Sequence, residues 1–128
     1  MARELILIIE DNEKNRKLVR DVLQLKGYPT IEAATAEEGI DLAREQQPSL
    51  ILMDIQLPRM DGLTALARLK AEPVTRAIPV IAITASAMPE DLEKIQQAGF
   101  DAYQTKPIRI KEFIGLVEKI FESTQGAA

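Results

Sequence analysis

Leu50-Ile51-Leu52-Met53-Asp54 carries four consecutive apolar residues and then stops at a carboxylate. A run this short and this uniformly apolar reads as a strand covered on both faces, the mark of a parallel sheet. The aspartate interrupts a run headed for the core, and folding has no need of it there. Three other apolar runs end the same way. Leu5–Ile9 runs into Glu10-Asp11, Val80–Ile83 into Thr84, and Ala102–Thr105 into Lys106-Pro107. If these strands lie parallel in one sheet, three carboxylates, a hydroxyl and an ammonium meet at a single edge.

Outward from this stretch the chain alternates strand and helix five times. Strands are expected near 5–9, 28–33, 50–53, 80–83 and 101–105, and helices near 13–26, 36–46, 62–71, 89–98 and 109–122. Gly27 and Gly99 follow the first and fourth helices as C-terminal caps would. Thr35 and Glu38 form a capping box for the second helix, and Pro48 and Pro73 lie just past the second and third. Five βα units imply a parallel sheet with helices on both faces. The runs at 5–9, 50–53 and 80–83 are apolar throughout, as central strands are. Tyr28-Pro29-Thr30-Ile31-Glu32 alternates and holds a proline, which suits an edge, and Asp101–Thr105 is also mixed. These features give the order 2-1-3-4-5, a flavodoxin-like (βα)5 three-layer sandwich in the α/β class. Its crevice lies between strands one and three, flanked here by Glu10-Asp11 and Asp54.

The bulk composition narrows the chemistry further. The chain has 128 residues, enough for one domain with a core of its own, and a formal charge of −4 that offers nucleic acid no basic footprint. No apolar stretch approaches the ~20 residues of a membrane helix, and Met1-Ala2-Arg3-Glu4 leads straight into a strand, so the cytoplasm is expected. Cys and His are both absent. That removes thiol nucleophiles, disulfides, the usual zinc ligands and the usual general base. A phosphohistidine, if one is used, has to come from a partner. Three carboxylates in one crevice repel each other, and an oxygen-only donor set favours Mg²⁺, or Mn²⁺, among them.

The other strand-end residues each admit two readings. Lys106 is either a surface lysine or, beside the acidic cluster, a partner for Asp54 or for anionic oxygen attached to it. Thr84 is either a strand-capping hydroxyl or a donor to an anion held over Asp54. The Lys106-Pro107 bond is a candidate cis peptide.

In combination, Glu10-Asp11, Asp54-Ile55-Gln56-Leu57-Pro58 with Asp61-Gly62, Thr84-Ala85 and Lys106-Pro107 resemble a two-component response-regulator receiver domain. The resemblance covers Arg3–Phe121, giving a receiver over 1–122 and a short polar tail over 123–128. Ile51–Pro58 and Ala85–Met88 look most like single-domain receivers of the DivK type and receivers of hybrid histidine kinases. The resemblance implies that Asp54 accepts a phosphoryl group from a partner's phosphohistidine. It implies that Asp11, Asp54 and the Gln56 main-chain carbonyl hold Mg²⁺, with Glu10 acting through water. Lys106 would pair with the phosphoryl oxygens, Thr84 would move to bond them, and Tyr103 would turn inward as the switch aromatic. Ala85 would leave the phosphate approachable, and Gln56 and Ser86 fall at positions that vary with phosphate lifetime.

The resemblance thus implies a signalling switch more than a turnover enzyme, served by a sensor histidine kinase or histidine phosphotransfer protein. Helix five carries Ile110, Phe113, Ile114, Leu116, Val117, Ile120 and Phe121, an arc wider than one core-facing stripe requires. Helix four is thinly apolar, with Met88, Leu92 and Ile95. A broad buried stripe accounts for the arc; alternatively helix four, strand five and helix five form a docking face, as the resemblance also implies, on a monomer or weak dimer. The start at Met1 favours a stand-alone receiver over one cut from a hybrid kinase or a larger regulator. Rival readings are a flavodoxin-like cofactor protein, a haloacid-dehalogenase-like Mg-dependent phosphatase and a receiver that binds partners without phosphorylation. The first lacks phosphate-cradling residues at Glu10-Asp11-Asn12, the second a D-x-D on strand one, and the third does not explain the intact acidic set.

Overall fold

The apolar runs lie side by side as parallel strands because neither face of them can be left to water. A computed structural model describes residues 3–126, and Met1, Ala2 and the last two residues of the expected tail lie outside the described residues. The order along the chain is β1 (Ile6–Ile9), α1 (Glu13–Leu25), β2 (Thr30–Ala33), α2 (Ala36–Gln46), β3 (Leu50–Asp54), α3 (Gly62–Ala71), β4 (Val80–Thr84), α4 (Pro89–Ala98), β5 (Ala102–Thr105) and α5 (Ile110–Gly126). The five strands form one parallel sheet of order β2-β1-β3-β4-β5. This is the flavodoxin-like architecture expected from the strand compositions.

Side-chain alternation divides the core in two. Leu7, Ile9, Ile51, Met53, Val80 and Ala82 face α2, α3 and α4, while Ile6, Ile8, Leu50, Leu52, Ile81 and Ile83 face α1 and α5. The whole of β1, β3 and β4 is buried, whereas β2 and β5 are mostly half-exposed at the edges. Side-chain caps start the helices where the sequence places them. Asn12, Thr35 and Asp61 accept from the amides of Asn15, Glu38 and Thr64.

A few boundaries differ from the sequence reading. β2 begins at Thr30, because Pro29 stands before the strand and only its carbonyl joins the ladder, accepting from the Ile6 amide at 3.0 Å. α5 continues to Gly126 through part of the segment read as a tail, since Ser123, Thr124 and Gln125 include no proline or glycine to break it. Met88 is the N-cap of α4 and exposed. The broad arc of α5 mostly fills the core: Phe113, Ile114, Val117 and Phe121 are buried, Leu116 and Ile120 half-buried, and Ile110 is exposed.

α2 lies very close to the sheet at Gly39, where an added Cβ would come 2.3 Å from Ile9 Cδ1 and 2.6 Å from its Cγ1. Alanine is the better helix former by about 1 kcal/mol, yet here it would overpack a full core, which costs about 1–3 kcal/mol. Gly39→Ala is therefore expected to lower the urea unfolding midpoint; a raised midpoint would show that α2 can back away freely.

Candidate functional site

The site starts from strand register. Ile9 stands opposite Met53 in the β1–β3 pairing, so the next residues, Glu10 and Asp54, emerge side by side at the carboxyl edge. Asp54 is the last residue of β3 and Thr84 the last of β4, one step further into the ladder than the apolar runs suggested. Ligand oxygens of Glu10, Asp11 and Asp54 all lie within 4.8 Å of one another. Glu10 and Asp54 are buried and Asp11 is exposed, so the cluster is open on one side.

Lys106 closes it from β5. Its ammonium donates to Asp54 Oδ2 at 2.7 Å and lies 3.1 Å from Glu10 Oε1. The Lys106 amide anchors it there by donating to the Thr84 carbonyl at 2.8 Å. The Lys106–Pro107 peptide is cis. The other oxygen of Asp54 accepts from the Gln56 amide at 2.9 Å. Burial opposes the charge of Lys106, but its hydrogen bonds to Asp54 and Glu10 outweigh that and raise its pKa above the usual lysine value. The carboxylates outnumber it. Burial first, then hydrogen bonding and repulsion from Asp54, push Glu10 up to about 7, against the Asn12 amide and Lys106, which pull it down.

Thr84 is buried and turned toward the β4–α4 loop. Its hydroxyl accepts from the Ser86 amide at 3.1 Å and donates to the Ser86 carbonyl at 3.4 Å. Ser86 donates in turn to Asp91 at 2.6 Å, and its Oγ accepts from the Met88 amide at 3.2 Å. Thr84, Ser86 and Asp91, together with Ile55, Gln56, Leu63, Lys94 and Ile95, line a cavity of about 190 Å³ beside Asp54. Tyr103 is half-buried and packs on the core shared by α2, α3 and α4. Ala85 and Gln56 are exposed.

The structure adds residues that the strand-end pattern does not single out. The amides of Asn12 and Gln56 each donate to a site carboxylate, at 3.1 and 2.9 Å. Arg16 donates to the Glu10 carbonyl at 2.8 Å. Gly62 presses on the loop after β3, where a Cβ would lie 2.7 Å from the Asp54 carbonyl oxygen and 2.9 Å from Ile55 Cα. Only the Asp61-Gly62 pair had a sequence signal. Backbone donors are invisible to side-chain patterns, and Arg16 reads as one more helix-surface cation.

Chemically the cluster offers an oxygen-only donor set with excess negative charge, which suits a hard divalent cation. It also presents a carboxylate, Asp54, next to an ammonium at an open edge.

Comparison with known proteins gives a consistent result. Residues 6–118 match the family model of the response regulator receiver domain. The chain is 50% identical over 113 residues to the polar-differentiation response regulator DivK of Brucella ovis, covering 88% of this chain and 92% of that protein. Among solved structures it is similar to the receiver domain of a sensor histidine kinase from Pseudomonas aeruginosa PAO1, which has a magnesium ion coordinated in its active-site cleft. There the identity is 33% and the TM-score 0.85, over 92% of this chain and 97% of that one. A CheY-like receiver domain protein from Methanospirillum hungatei JF-1 is 26% identical with a TM-score of 0.90, over 99% and 100%.

The raised Glu10 pKa sets a pH dependence. The fold favours protonated Glu10, so this contribution to stability is complete below 4.5, the ordinary value, and is lost as pH rises through about 7. Without metal, wild-type stability is expected to fall relative to Glu10→Gln between pH 5 and pH 8 in urea titrations, on the order of those two pKa values. Parallel curves would show that Glu10 titrates normally.

Proposed function

Because the chain belongs to the response regulator receiver domain family, we propose that it is a phosphorylation-dependent switch that takes a phosphoryl group onto Asp54 from a partner's phosphohistidine. The observation that carries this reading is the Lys106 ammonium 2.7 Å from Asp54 Oδ2, with Glu10 and Asp11 alongside. An Asp54 oxygen attacks phosphorus, a P–O bond forms, and the P–N bond breaks as the imidazole leaves with the electron pair. Such transfers need in-line positioning and positive charge on the equatorial oxygens more than covalent help.

The carboxylates of Asp11 and Asp54 and the Gln56 main-chain carbonyl would hold Mg²⁺, or Mn²⁺, with Glu10 acting through water. The donor set fits, and the excess negative charge that pushes Glu10 upward is what a divalent cation would relieve. When bound, the cation supplies charge neutralisation for the transferring phosphoryl group. Lys106 would move its hydrogen bond from Asp54 to the phosphoryl oxygens. Thr84 would leave Ser86 to bond another of them, and Tyr103 would move into the space vacated. Promoting its own phosphorylation does not make the chain a turnover enzyme.

The donor would be a sensor histidine kinase or a histidine phosphotransfer protein in the cytoplasm. The output would be read by a protein docking on the α4–β5–α5 face of a monomer or weak dimer. Half-buried Tyr103 and exposed Met88 and Ile110 support that face. The receiver is proposed to span 1–122, with 123–128 as a short C-terminal tail of which 123–126 continue α5. No helix among the described residues is long and apolar enough to cross a membrane. The likeness to a kinase receiver supports a second reading, in which the same chemistry serves inside a hybrid kinase or larger regulator.

With Mg²⁺ and acetyl phosphate, one phosphoryl group per chain is expected by intact mass, and none in Asp54→Ala. Labelling that survives the substitution would overturn the assignment. Lys106→Ala is expected to keep metal binding but lose the coupling, so that phosphorylation leaves the Tyr103 NMR signals where they were. A full activation shift in that variant would remove Lys106 from the switch.

A further inference from the structure

Beyond Ile9 the β1 ladder ends, and the chain must still aim two successive carboxylates into the crevice. The Glu10 amide remains anchored to the edge strand, donating to the Ala33 carbonyl at 3.0 Å. The Glu10 carbonyl finds its partner in a side chain: Arg16 Nη1 donates to it at 2.8 Å. Arg16 sits one turn into α1, and its own amide donates to the Asn12 carbonyl at 2.9 Å, which closes the first helical turn over the acidic loop. The same guanidinium donates through Nε to Glu32 Oε1 at 3.1 Å, and Arg20 Nη1 donates to Glu32 Oε2 at 3.3 Å. Arg16 and Glu32 are both mostly buried, with side-chain exposures of 21% and 29%.

A guanidinium behind a cation site is unexpected on electrostatic grounds, because a nearby positive charge by itself weakens cation binding. Two features answer this. Arg16 grips a carbonyl, so what it controls is the orientation of the Glu10–Asp11 peptide and hence of both carboxylates. Glu32, on β2, balances its charge and aims the planar fork, which makes two directed bonds at once.

We propose that Arg16, aimed by Glu32, is a positioning residue that preorganises the Glu10–Asp11 loop for a divalent cation. This rests on the reading of the acidic cluster as a cation site. It differs from the ligand assignment in naming a residue that touches neither the cation nor the phosphoryl group.

The sign of the effect separates positioning from simple electrostatics. Mg²⁺ affinity is to be measured by calorimetry, and by amide NMR shifts of Asn12 and Gln56, on the wild type, Arg16→Gln, Arg16→Lys and Arg20→Gln. Unfolding in urea without metal is recorded for each. Positioning groups behind metal ligands contribute roughly 10–100-fold in affinity. Arg16→Gln is expected to weaken Mg²⁺ binding by about tenfold at the low end of that range, although it removes a positive charge. Arg16→Lys is expected to weaken it too, because an ammonium lacks the fork that holds carbonyl and carboxylate together. Arg20→Gln, which shares Glu32 but does not touch the loop, should bind as the wild type does. Saturating Mg²⁺ should restore the acetyl phosphate labelling rate in both Arg16 variants. Unchanged or tighter Mg²⁺ binding in Arg16→Gln overturns the proposal, as does an equal loss in Arg20→Gln. A wild-type chain that takes up no Mg²⁺ overturns the cation-site reading itself, and the proposal with it.

Discussion

Carboxylates confined to one strand-end crevice repel each other, and much of this site follows from how that repulsion is managed. Glu10 and Asp54 are buried beside each other with Asp11 at the opening, and one ammonium, Lys106, reaches the two buried groups. Ionised groups taken out of water cost several kcal/mol each unless their partners are well placed. The chain answers with donors from several directions: Lys106 from just after β5, the Gln56 amide from the loop after β3 and the Asn12 amide from the start of α1. Even so, Glu10 is held toward its neutral form. A site left short of positive charge in this way is the feature on which the proposed switch rests.

The sheet supplies the convergence. Parallel strands joined by right-handed crossovers bring all their carboxyl ends to one edge, so residues 52 positions apart in Asp54 and Lys106 meet at hydrogen-bond distance. Close packing then limits how far they can drift. Gly62 lets α3 begin against the backbone of Asp54 and Ile55, and Gly39 lets α2 lie on Ile9, next to the start of the acidic loop. Thr84 is held differently. Its hydroxyl is engaged by a loop of backbone and serine contacts, the kind of local arrangement that can be exchanged without disturbing the sheet.

Much of this was legible in advance for a simple reason. Leu5–Ile9, Leu50–Met53 and Val80–Ile83 are too uniformly apolar for anything but doubly covered strands, and the mixed runs that hold Pro29 and Asp101 belong at edges. Strand order, and with it the position of the crevice, followed from that contrast. The helix limits were legible where a cap residue marks them, at Thr35 and Gly99, and less so at α5, where Ser123 and Thr124 look like a tail but do not stop a helix.

Sequence by itself determined the fold, the edge at which chemistry gathers and the kind of chemistry available, because strand periodicity is local and the absence of Cys and His leaves only oxygen and ammonium groups. Tertiary structure alone decided which backbone amides face Asp54 and Glu10, that Thr84 is turned into its loop, and that Arg16 reaches over to the Glu10 carbonyl while paired with Glu32. The amide and Thr84 contacts span only two residues but depend on loop backbone that side-chain patterns do not show. The Arg16–Glu32 pair joins α1 to β2 across 16 residues with no periodic signal. A helix-surface arginine and an edge-strand glutamate look like any other solvated charges until the sheet sets α1 beside β2.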